Sequence, residues 1–208
     1  TPPSPAPARD LVEVTVVYGL ILAAVWTPQG RMNSALMLAA ASSVVLVAFV
    51  GRWGWREMGF VQPLAGVRSM LLAGAVLCAA IAAIGAGVRA FGAGFPLPWA
   101  RSWRYAIWAL EQEFILQSII FLRLESLVGG RRAVVAAAGL YALAHIPSPV
   151  LTILAFLGGL LFSDSFRRWR NLYPLGLIHA ALGLTIAATL PDRWLHHMRV
   201  GIGYLTLH

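Results

Sequence analysis

One stretch constrains this chain more than any other: Ala106 to Leu124, AIWALEQEFILQSIIFLRL, an apolar segment about long enough to cross a bilayer that carries two carboxylates, Glu111 and Glu113. On insertion scales an ionisable side chain at that depth costs about 2.5–3.5 kcal/mol, so the pair together costs roughly as much as the net stability of a small domain. Acids retained at that cost mark function, and the other apolar runs are read around them.

Those runs recur along the whole length. Hydrophobic residues make up 59% of the chain and charged ones only 12%, half the share usual in soluble domains, so the chain reads as an all-α polytopic membrane bundle. Seven segments are expected: Leu11–Trp26, Ser34–Val50, Ser69–Val88, Ala106–Leu124, Ala133–Ile146, Val150–Phe162 and Leu172–Leu190. A Pro-rich start over residues 1–10, with no secretory signal pattern, reads as a disordered tail, and residues 191–208 read as an interfacial tail. Residues 11–190 form one helical domain whose motif-bearing core is 100–190, with no internal repeat.

The links carry the charge. The net charge of +8 comes from arginine alone, because the chain has no lysine. Arginines mixed with tryptophans, as in the link Gly51–Arg68, suit a lipid headgroup layer; a nucleic-acid binder would instead show a basic stripe on a soluble surface, so lipid is the expected partner and nucleic acid is excluded. A second link, Arg89–Arg104, contains GAGFPLPWARSW and reads as an interfacial loop, and SDSFRRWRN reads as the link before the last segment. With seven crossings the N-terminal side collects ten of the sixteen arginines, which places the N-terminus in the cytoplasm of a cell with this protein in its inner or plasma membrane. Cys78 stands alone in an apolar run, so it forms neither an internal disulfide nor a cysteine-rich metal site.

Three intramembrane groups fall at comparable depth. From a rise of about 1.5 Å per residue, Glu113 lies roughly 13 Å, His179 roughly 16 Å and His145 roughly 10 Å from the outer face. Glu111 sits about 200° around the helix from Glu113, so only one of the two faces such a cavity. A carboxylate and two imidazoles suit two chemistries: activation of water for attack on a peptide carbonyl, or a zinc site with an open position. Composition does not separate them, and each residue also has a plainer reading as an interhelical hydrogen-bond partner or part of an ion path.

Gln112-Glu113 followed by Gln117-Ser118, Tyr141 and His145 four apart, and His179 in a later helix resemble the three motifs of the CPBP intramembrane proteases, the CAAX-prenyl-protease and bacteriocin-processing group. That family carries two glutamates, three residues and an arginine; then an aromatic, three residues and a histidine; then a histidine followed four residues on by asparagine. The resemblance covers about residues 100 to 190. It implies a helical membrane endopeptidase of glutamic type without a required cofactor, zinc being the disfavoured alternative. It further implies a protein or peptide substrate, cut near its membrane-proximal or C-terminal part. By resemblance Glu113 is the base, His145 its assistant and His179 the oxyanion stabiliser, with Gln117 orienting the glutamate and Glu111, Gln112 and Tyr141 as supporting or alternative residues. The departures are specific: Gln112 replaces the first glutamate, Gln117 the arginine and Gly183 the asparagine. An amide is not a general base, so they leave a second expectation open, a non-catalytic scaffold or partner-binding protein with the same fold.

Overall fold

The computed structural model describes residues 6–88 and 98–206. Among these the chain is helical, with α1 (Pro7–Val25), α2 (Arg31–Val50), α3 (Val67–Gly87), α4 (Trp99–Glu113), α5 (Leu122–Val128), α6 (Gly130–Leu143), α7 (Pro149–Trp169) and α8 (Leu172–Thr189), then the short α9 (Asp192–Leu195) and α10 (Ile202–Leu205). A π-helical segment, Phe114–Phe121, joins α4 to α5, so Ala100–Val128 runs as one 29-residue helix with Glu113 near its middle. Among the described residues five helices are long and apolar enough to span a bilayer: α2, α3, Ala100–Val128, α7 and α8. The seven expected segments all coincide with helices. Of the other two, α1 holds Arg9, Asp10 and Glu13, and α6 has only 14 residues.

The long central helix is buried all round over Leu116–Arg123, the mark of an element at the middle of a bundle. Around it pack α1, α2, α6 and α7, while α8 lies between α3 and α4. Small residues make these approaches possible, as expected where helix association depends on close backbone packing. A Cβ at Gly176 would come within 3.1 Å of the Leu110 Cα on α4, and one at Gly74 within 2.9 Å of Ile178, so α8 packs tightly on α4 and α3.

Charges inside the bundle are paired. Arg123 is fully buried, donating to Glu13 Oε2 at 2.8 Å and to the Ser118 carbonyl at 2.8 Å. Asp10, also fully buried, accepts from Arg52 and from the Ser126 hydroxyl. These contacts explain the first correction. Of the disordered tail expected over 1–10, residues 1–5 lie outside the described residues and Pro7–Asp10 form the opening turn of α1, where proline fits the helix start and Asp10 is held by its partners.

Three other boundaries differ. Trp99–Arg104, expected in a loop, begins α4 directly after Pro98, while residues 89–97 of that link lie outside the described residues. SDSFRRW, expected as a link, continues α7 to Trp169, because Asp164 accepts from Arg167 and Arg168 one turn on and Ser163 is buried against the bundle. Helix α6 stops at Leu143, short of the expected Ile146. There the His145 side chain takes the Tyr141 carbonyl that a continuing helix would have used, and the His145 amide turns to Ala142. The Gly51–Arg68 link folds inward at Met58, whose carbonyl accepts from the Ser118 hydroxyl at 2.7 Å.

Candidate active site

Helix α8 brings His179 against the end of α4. Its Nδ1 lies 2.9 Å from Glu113 Oε1, and Glu113 is wholly buried. The other carboxylate oxygen accepts from Gln117 Nε2 at 3.1 Å, four residues further along the central helix. The π-helical segment begins immediately after Glu113 and contains Gln117; such wide turns are rare and recur at functional sites. On its far side His179 Nε2 stands 3.2 Å from the Tyr141 hydroxyl, so Gln117, Glu113, His179 and Tyr141 form one continuous polar chain across three helices.

Tyr141 divides two imidazoles. Its ring is met edge-on by His145 at 4.7 Å and by His179 at 6.0 Å, and Phe162 of α7 stacks on His179 at 5.4 Å with the planes 19° apart. A carbonyl oxygen only accepts, so the 2.7 Å contact from His145 Nδ1 to the Tyr141 carbonyl puts the proton on Nδ1. His145 Nε2 then carries a lone pair and makes no hydrogen bond among the described residues. It is the one imidazole nitrogen of the pair left available to take a proton.

The residues singled out in the sequence therefore separate into two groups. Glu113, Gln117, Tyr141, His145 and His179 come together. Glu111 is exposed on the outer face of α4 and Gln112 is half-buried, with neither in the hydrogen-bonded chain, as the rotation about the helix axis requires. The imidazole touching Glu113 is that of His179 rather than His145, which was expected to assist it. Glu113, His145 and His179 do not form a metal-holding group, and among the described residues no three histidine, cysteine or carboxylate side chains do.

Two participants were not foreseen: Phe162, which braces His179, and Tyr105. Gly183, standing where the motif carries asparagine, faces Tyr105 so closely that a Cβ there would fall 1.8 Å from its hydroxyl. A tyrosine eight residues before Glu113 has no sequence signal of its own. The glycine at 183 was visible, but its neighbour was not.

The family model described as type II CAAX prenyl endopeptidase Rce1-like matches residues 95–185, a range that contains every member of this cluster. No curated protein and no solved structure matches the chain. With five helices suited to a bilayer, the protein is an integral membrane protein. Residues 95–185, where the three motifs lie, are therefore similar to the type II CAAX prenyl endopeptidases, in keeping with the resemblance of those motifs to the CPBP proteases.

Proposed function

We propose that this protein is an intramembrane endopeptidase of CAAX type that hydrolyses a peptide bond near the membrane-proximal or C-terminal part of a protein substrate. The observation supporting the reading is that a buried acid, a phenol and two imidazoles meet from three helices while His145 Nε2 keeps its lone pair. The expected glutamic chemistry is revised in this reading. Glu113 is sealed, with both oxygens bonded, so it holds His179 in place, and His145 becomes the base.

The step runs as follows. His145 Nε2 removes a proton from water as the water oxygen adds to the scissile carbonyl, whose π pair moves onto oxygen. The imidazolium then returns that proton to the amide nitrogen as the C–N bond breaks, leaving a carboxylic acid and an amine. The chain from Gln117 to Tyr141 fixes the polar wall beside this step, and positioning before the reaction accounts for much of its rate.

The family's description and the membrane setting support a protein tail held at a lipid surface as substrate, in the plasma or inner membrane. In this reading α1 and α6 also cross, giving seven passages with the N-terminus in the cytoplasm, on the side where the arginines concentrate. Cysteines placed at Ser4 and Ser126 should both react with an impermeant thiol reagent only from the cytoplasmic side.

A second reading is favoured by one observation: Gln112 replaces the family's first glutamate while Glu113 is sealed. The fold would then serve as a scaffold that binds a protein tail without cutting it. Purified protein in liposomes, given a farnesylated peptide ending in CAAX or a peptide with an apolar segment followed by arginines, separates the two. Cleavage of either probe, lowered about 10²–10⁴-fold in His145→Ala, is the protease result. Binding of both probes without cleavage, unchanged in His145→Ala, is the scaffold result.

A further inference from the structure

We propose that the Tyr105 phenol donates a hydrogen bond to the carbonyl oxygen of the bound peptide, using the space that Gly183 leaves open on α8. The inference rests on the protease reading above. His179 and Gly183 are four residues apart on α8 and so share one face, and α4 crosses that face. With Tyr105 as placed, a Cβ at position 183 would lie 1.8 Å from the hydroxyl oxygen and 2.5 Å from the ring carbon that bears it. A ring is rigid and cannot fold away, so glycine at 183 is the condition for the phenol's position.

The hydroxyl itself is uncommitted. Tyr105 is half-buried, and its oxygen makes no hydrogen bond among the described residues and is not sealed from its surroundings. The Tyr141 hydroxyl, by contrast, is engaged with His179, and Tyr141 lies within electrostatic reach of both Tyr105 and Glu113. The cluster thus presents an open base at His145 and an open acid at Tyr105. Addition of water to a carbonyl needs that pair: a lone pair for the water proton and a donor for the oxygen on which charge develops. A phenol O–H in a water-poor site is a strong donor to such an oxygen.

Tyr105→Phe keeps the ring that fills the face of Gly183 and removes only the hydroxyl. It should fold as the parent does and lower kcat about 10²–10³-fold with little change in KM. In the infrared, the carbonyl band of a bound ¹³C-labelled peptide ketone should move to higher frequency when the donor is lost. Tyr105→Ala with Gly183→Asn, which carries a donor to the emptied place from the other helix, should recover activity, whereas Tyr105→Ala with Gly183→Leu, which restores volume alone, should not. Wild-type rates together with an unmoved ketone band in Tyr105→Phe would overturn the proposal, as would equal recovery by asparagine and leucine. A wild-type protein that cleaves neither probe would remove the protease reading instead, and the ketone band would still decide Tyr105 by moving or staying.

Discussion

At the scale of single residues, the buried ionisable groups of this chain differ in what surrounds them. Glu113 is held by one imidazole and one amide, so Glu113→Gln keeps its shape and removes the charge-assisted contact to His179. The expected result is a loss of stability of about 1–3 kcal/mol, read by thermal unfolding in detergent, with reduced cleavage as His179 loses its anchor. Glu111→Gln, on the outer face, should leave both readouts unchanged. Arg123 shows the other situation, a guanidinium with no exposed surface that pairs with Glu13 of a different helix. Arg123→Met alone should cost about 1–3 kcal/mol, because Glu13 keeps its pairing with Arg9 but loses its buried partner and the Ser118 carbonyl loses its donor, and the double change with Glu13→Leu should recover part of that loss.

At the scale of elements, the contact of α4 with α8 holds Glu113 against His179. Glu113 and Tyr105 come from α4, His179 and Gly183 from α8, and Gly176 lets Leu110 pass between them. Gly176→Ala should push the helices apart by a few tenths of an ångström and cost about 1–3 kcal/mol. Because its Cβ would press on the Leu110 backbone, it should lower cleavage more than a destabilisation of that size elsewhere, a comparison that the same activity and unfolding assays make directly. The termination of α6 belongs to this scale as well. His145 stops the helix by taking the Tyr141 carbonyl, and the same bond sets its tautomer, so one contact ends an element and leaves the lone pair on Nε2.

At the scale of the whole molecule, the segment after α8 is tied into the bundle. Leu195 is fully buried with Leu151, Ile186 and Leu190, and the Gly201 amide donates to the Ile146 carbonyl at 2.9 Å, next to His145. The interfacial tail expected after residue 190 therefore packs on the helices that carry the site. Leu195→Ala should cost about 2–5 kcal/mol in the same unfolding assay, where a surface leucine such as Leu64 would cost little. The protein should stay in the membrane fraction through alkaline extraction, as five spanning-length apolar helices require.

How much of this was legible beforehand follows from range. Helical class, the positions of the apolar segments and the candidacy of Glu113, His145 and His179 could be read, because hydrophobic runs and the cost of an intramembrane charge act on each segment by itself. The extension of α7 through Asp164, Arg167 and Arg168 was missed because charged residues read as a link until their pairing is seen. Which imidazole reaches Glu113, that Tyr141 stands between the two, and that Tyr105 occupies the space at Gly183 were decided by tertiary structure alone. Those facts depend on how α4, α6 and α8 rotate and approach, and helix rotation is set by the fit of side chains from distant parts of the chain, which no local pattern records.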